Sequence, residues 1–444
     1  MSRKQILTKK VAHTLLAMSI VSASGLNLWA GTAWAAADGT NGADNIQGNV
    51  SISAGADLGG VGGNGTDGAA GSGTDDAGGN GGKGGSASFS GTLTVDDDSK
   101  AVSVTVKGGK GGNGGDQSAQ TNAITGNGGS GGEAELQLTV GSDVQTGALT
   151  LKAEAGNGGN GGDDTADNPP TSEVTVGNGG AGGNAAAGIA ITDGSLTATS
   201  ISLTAKAGSA GYVGSVRKEG KDNHGGDGGT AGTASIKGLV LSGQQAAVEV
   251  ANNIVITGTG GKGGNGGSTY GEAGLAAVGG AAEAYGLVAA GNGTYAVQFA
   301  DLTLQATGGN GGSGCNTSIF YNQTTNNSQG DPYMSTDGAD GGNAVGKGLL
   351  VESGDVQLTA DNITSTVAGG NGGGAGNNNR ANRQDAAAKV ANAGQGGTAS
   401  ATGIAVTGGL ADKLSIGAIK AAATGGTGGT GANGSYDNVN DGTD

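Results

Sequence analysis

Gly341–Gly373 reads GGNAVGKGLLVESGDVQLTADNITSTVAGGNGG. Gly341-Gly342 opens the stretch and leads through small residues to Gly348-Leu349-Leu350-Val351, then to a turn at Ser353-Gly354-Asp355. Val356, Leu358 and Ala360 alternate with Gln357 and Thr359. Ile363 opens a third segment that ends at Val367, and Gly369-Gly370-Asn371-Gly372-Gly373 closes the unit. Alternation at period two gives each segment one apolar face, the signature of a strand. No window of comparable length outside the N-terminus carries an apolar stripe of helical period.

Variants of this unit recur seven times. Their opening glycine pairs begin at Gly84, Gly131, Gly182, Gly228, Gly279, Gly341 and Gly396, separated by 47, 51, 46, 51, 62 and 55 residues. A Gly-aliphatic step returns at Gly188-Ile189, Gly238-Leu239, Gly286-Leu287, Gly348-Leu349 and Gly403-Ile404. The variation in length falls between the closing and opening glycine runs, as in Asp163 to Val176, Gly211 to His224, Asn316 to Ala339 and Ala375 to Ala391. Constant rungs with polar inserts on one side predict stacked repeats, each too small to stand alone and each covering its neighbour's apolar face. The expected fold is all-β: an elongated repeat β-solenoid, parallel β-helix-like, over residues 77–430, with glycine-rich runs at one edge. Residues 38–76 read as a polar lead-in or cap with one strand near Asn45–Val50. Residues 431–444 read as a polar tail that begins a further loop.

The 444 residues include 103 Gly but only 3 Pro and 3% aromatics. Collagen is excluded because there is no Gly-X-Y register and almost no proline. A flexible linker is excluded because the Ile/Leu/Val/Thr segments are too regular. Within the runs, Gly108-Gly109-Lys110-Gly111-Gly112-Asn113-Gly114-Gly115-Asp116 has a strict period of three. A helix with three residues per turn would place Lys110, Asn113 and Asp116 along one edge and leave two bare glycine edges free to approach neighbouring chains. Polyglycine-II-type helices packed beside the strands are one reading, and loops at the solenoid edge the other. Asn113, Asn160, Asn265, Asn310 and Asn371 recur in similar places, either as a stacked amide ladder or as turn-forming Asn-Gly pairs.

Residues 1–37 have the pattern of a bacterial export signal. Arg3, Lys4, Lys9 and Lys10 precede an apolar stretch from Val11 to Ala30, and small-residue cleavage options follow at Ala33-Trp34-Ala35 and Ala35-Ala36-Ala37. The formal net charge of −16 becomes −20 once those four basic residues leave. That argues against nucleic acid or anionic lipid as partner. Cys315 is the sole cysteine, so no intrachain disulfide forms.

The signal, the Gly-aliphatic rungs and the irregular loops resemble the passenger regions of bacterial autotransporter and filamentous-haemagglutinin-like adhesins. The run Gly177-Asn178-Gly179-Gly180-Ala181-Gly182-Gly183 is also similar to glycine-rich repeats of mycobacterial surface proteins. The resemblance covers about residues 77–430 and implies a right-handed parallel β-helix held outside the cell. The implied partners are an outer-membrane translocator, or a C-terminal barrel missing from this chain, and a host or neighbouring-cell surface. No segment here supplies the eight or more strands of about ten residues that a barrel needs.

The chemistry is sparse. The first six positions of a calcium-binding nonapeptide, G-G-x-G-x-D, occur at Gly111–Asp116 and Gly158–Asp163, and Asp75-Asp76 and Asp96-Asp97-Asp98 add carboxylates. The aliphatic seventh-to-ninth pattern does not follow, so no cofactor is called for and Ca2+ is the single alternative. β-Helix scaffolds also carry polysaccharide-cleaving enzymes, which need carboxylates or bases fixed on strands. After removal of the signal only Arg217, Arg380, Arg383 and His224 remain of the Arg and His residues, all in inserts, while Asp143, Asp193, Asp301, Asp355 and Asp361 sit at turns. The expectation is a non-catalytic surface protein, a stalk with contact loops. A carbohydrate-active enzyme or a calcium-dependent surface-layer or matrix protein is the alternative. Aromatics in inserts suit contact, and the insert Asn316 to Ala339, with Phe320, Tyr321 and Tyr333, is the expected contact loop.

Overall fold

A computed structural model describes residues 36–52, 57–71, 77–97, 99–118, 123–166, 174–215, 224–267, 273–315, 317–319, 335–376, 378–381, 391–432 and 434–437. These residues are all-β, without a helix. Eight strands form one parallel sheet: β1 (Asn45–Ile52), β3 (Ala87–Leu93), β7 (Ala134–Val140), β10 (Ala185–Ile191), β12 (Ala234–Leu241), β14 (Ala282–Ala289), β17 (Ala344–Val351) and β20 (Ala399–Val406), in that order. A second parallel sheet runs β2 (Asp57–Val61), β5 (Val102–Lys107), β8 (Val144–Glu154), β11 (Gly194–Lys206), β13 (Gln245–Thr259), β15 (Thr294–Thr307), β18 (Asp355–Ala368) and β21 (Leu410–Thr424), with β4 (Asp96–Asp97) beside β8. Each repeat therefore gives one strand to each sheet.

Register stacks like on like. Leu138, Ile189, Leu239, Leu287, Leu349 and Ile404 form one column of the first sheet. Leu149, Ile201, Ile254, Leu302, Ile363 and Ile419 form one column of the second. The inward side chains of both sheets make a single core, so apolar surface that one repeat leaves open is covered by the next.

The second and third segments of the repeat are one strand, β18, and not two. Val356, Leu358 and Ala360 are buried, Asp361 and Asn362 are both exposed, and burial resumes at Ile363. The alternation changes phase there while the ladder to β15 continues on either side. The turn before it places Gly354 at φ +84, the left-handed region that glycine enters without steric cost. The Gly-aliphatic step serves packing between sheets: a Cβ on Gly348 would stand 2.6 Å from Ile363 Cγ2.

Residues 38–76 contribute a full repeat. Both β1 and β2 pair with the following strands. Asn45 and Gln47 stand opposite the buried Ala87 and Phe89, and Gln47 Nε2 donates to Gly59 O (3.2 Å) and Asn45 Oδ1 (3.3 Å). Polar amides thus close the core at this end. The inserts also stack: β6 (Ala123–Ile124) pairs with β9 (Val174–Thr175), and β16 (Thr317–Ile319), β19 (Asn378–Ala381) and β22 (Gly434–Asp437) form a third parallel ladder.

The glycine runs lie in two columns, one preceding the strands of the first sheet and one following those of the second. Along a column, the first glycine of each Gly-Gly-X triplet donates to the X carbonyl of the next repeat, as Gly81 to Asn127 (2.8 Å) and Gly158 to Ser209 (2.9 Å). Between columns, the second glycine donates to its counterpart half a repeat earlier. That relay runs unbroken from Gly426 through Gly397, Gly370, Gly342, Gly309 and onward to Ala43. A Cβ on Gly156 would stand 1.8 Å from Gly109 O. Both bare edges are consumed by backbone contact, and only the third position faces solvent.

Candidate binding surface

Of the expected contact residues, Phe320, Tyr321 and Tyr333 lie outside the described residues, as does the export segment 1–35. Tyr212, expected in an insert, occupies an X position of a glycine run. Its N–H donates to Asn160 Oδ1 (3.0 Å) and its side chain is 57% exposed.

The X positions build the protein's most regular surface, and hydrogen bonding explains their composition. Two of the three N–H groups in a triplet are satisfied by backbone carbonyls, which leaves the N–H of X. Where the X residue one repeat earlier is Asn or Asp, its Oδ1 accepts that N–H, as in the columns below. One column runs Asp38, Asn80, Asn127, Asn178, Asp227, with N–H groups of Asn80, Asn127, Asn178, Asp227 and Leu275 donating in turn at 2.7 to 3.0 Å. On the other face Asn113 accepts from Asn160, and Asn310 from Asn371, both at 2.9 Å. The Asn column is therefore a side-chain-to-backbone ladder, and neither an amide stack nor a set of turns. Any short oxygen acceptor serves, which is why Asp and Asn interchange.

This ladder also holds the last residue of both G-G-x-G-x-D motifs, whereas Asp97 accepts from Ser99 and Asp75-Asp76 lie outside the described residues. Asp116 Oδ1 accepts the Asp163 N–H (2.9 Å), and Asp163 Oδ1 accepts from Ser215 N–H (2.8 Å) and Oγ (2.9 Å). Among the described residues no group of three His, Cys, Asp or Glu side chains is gathered to hold a metal. The turn aspartates bond locally: Asp143 Oδ1 accepts Ser195 Oγ (2.8 Å) and Asp301 Oδ1 accepts Asn362 Nδ2 (2.7 Å). Cys315 is buried, and burial pushes its thiol up despite a bond to Thr336.

Two clusters escaped the sequence pattern. On the outer face of the first sheet, Lys347 Nζ lies 5.6 Å from the centroid of the Tyr285 ring, and burial, then Glu283 and Glu352, raise the tyrosine's pKa. On the second sheet, Glu154 pairs with Lys152 (2.5 Å) and Lys107 (3.2 Å). Burial works against its ionisation, and the two lysines outweigh it and hold the carboxyl below its ordinary value. Only register, which puts Lys107 beside Glu154, reveals that pair. Comparison with known proteins found no matching family model, no matching curated protein and no matching solved structure.

Proposed function

We propose that the protein is an exported, non-catalytic scaffold of a bacterial surface, structural and adhesive, built as a parallel β-solenoid stiffened along one edge by polyglycine-II-type helices. The glycine relay from Gly426 to Ala43 carries this reading. A chain that commits a glycine pair per half-repeat to backbone bonds between two columns gains length and rigidity, and the residues left outward are short polar acceptors. The export pattern over residues 1–37 and the acidic, Arg-poor composition support an extracellular destination. The resemblance to passenger regions supports the same class, with a translocator or barrel as partner.

The test is production of the full chain in a Gram-negative host, with fractionation, N-terminal sequencing of the exported form and adhesion of purified protein on beads to cells and matrix. Cleavage near Ala35–Ala37 and adhesion without turnover of polysaccharide substrates are expected. An uncleaved cytoplasmic protein, or release of sugar products, overturns it.

A further inference from the structure

A groove of about 610 Å³ crosses the outward face of the first glycine column, within the size range of small-ligand sites. Leu275 and Val278 form one side, the run Ser335–Asp340 the other, and Ala391 and Asn392 close it. The Asn/Asp ladder is interrupted here at Leu275, and Val278 continues a neighbouring column in which Lys83, Ser130, Ala181 and Thr230 carry neither Asn nor Asp. Leu275 and Val278 occupy X positions, are 63% and 56% exposed, and have no oxygen to offer the next repeat. The N–H groups of Asp337 and Asp340 accordingly have no partner among the described residues. One repeat on, Asn392 and Gln395 donate to Asp337 Oδ1 (2.6 Å) and Asp340 Oδ1 (2.7 Å) as the pattern requires.

We propose that this groove binds a neutral saccharide, which gives the adhesive scaffold of the preceding section a ligand and rests on that reading. A sugar ring has an apolar C–H face and a rim of hydroxyls. The Leu275–Val278 ridge covers the face, while the Asp337 and Asp340 N–H groups and Asn392 meet the rim. Asp227, Asp337 and Asp340 line this groove and its neighbour without a basic residue, which disfavours uronic acids and other anionic glycans. The open donors are backbone groups three residues apart along one extended chain, so they address a ligand that presents several acceptors in a row.

The test is a screen of the purified full chain against neutral and acidic oligosaccharides and cationic peptides, with titration calorimetry on whatever binds. The variant L275N/V278N restores the missing Oδ1 acceptors for Asp337 and Asp340 and removes the ridge, while leaving the glycine layers intact. The expected result is retention of a neutral oligosaccharide, weakened at least about tenfold in L275N/V278N with the thermal midpoint unchanged or higher. Failure to retain any neutral sugar, equal binding by L275N/V278N, or selective binding of acidic glycans or cationic peptides overturns the proposal. Adhesion to cells that survives such a failure leaves the scaffold reading standing and removes only the sugar.

Discussion

Alanine placed at Gly156 and at Asn157 should have very different effects, although the two residues are neighbours in one triplet. At Gly156 the new Cβ would meet Gly109 O at 1.8 Å and Gly109 C at 2.5 Å. Real contacts of this kind rarely fall below 3.0 Å, so the run must shift by about 1 Å or more, within a close-packed interior. Such a shift breaks Gly156 N–H to Gly132 O (2.8 Å) and Gly183 N–H to Gly156 O (2.9 Å). Each unmade buried bond costs about 1–3 kcal/mol. Reduced freedom of the unfolded chain returns about 0.4–1 kcal/mol, leaving a net loss of about 1–6 kcal/mol. Asn157→Ala removes only the acceptor of the exposed Ser209 N–H (2.9 Å), which water replaces, for about 1 kcal/mol or less. Urea and thermal unfolding followed by far-UV circular dichroism measures both. The reasoning fails if the two variants lose equal stability, or if Gly156→Ala costs under about 1 kcal/mol.

Ser365 is fully buried in a core column where the preceding repeat has Leu304, and its hydroxyl has no hydrogen-bond partner among the described residues. Ser365→Ala should match or exceed the parent's stability by about 1 kcal/mol, and a clear loss in the urea midpoint would show that the hydroxyl is satisfied. Glu154 titrates below its ordinary value in the fold, so its contribution is present above the unfolded carboxylate's pKa and is lost as pH falls through the lower, folded one. Glu154→Gln should flatten the acid limb of the stability–pH curve by under about 1 kcal/mol; an unchanged limb refutes the pairing. Cys315 is 1% exposed, with its thiol pushed up by burial, so a thiol reagent at mildly alkaline pH should label it only after denaturant is added. Rapid labelling of the native protein would contradict its burial.

Much of this architecture is legible in the chain because two periods coexist. The period of two in Val356–Ala360 marks strands, and the period of three in Gly108–Asp116 leaves two edges bare. What escaped has physical reasons. In Asp57–Val61 a Gly-Gly pair hides the alternation, so β2 reads as loop. Asn45 and Gln47 are polar at positions where the next strand carries buried Ala87 and Phe89, because β1 has β3 as its one strand partner among the described residues. The phase change at Asp361-Asn362 imitates a break between strands. The ladder role of Asn and Asp depends on which N–H remains after two glycine bonds are made, and no single repeat shows that. The same holds for Leu275, whose meaning lies in the Asp227 and Asp337 that the adjacent repeats carry at the same position. The expected contact residues Phe320, Tyr321 and Tyr333 fall outside the described residues.

The spacing of the opening glycine pairs varies from 46 to 62 residues, while the glycine relay passes through those repeats without a gap. Most of that variation is absorbed after one glycine run ends and before the next begins. Each such junction is therefore a cassette site, where sequence can be exchanged, lengthened or shortened without disturbing the layers on either side. An engineer could insert several different peptides between successive layers of one scaffold.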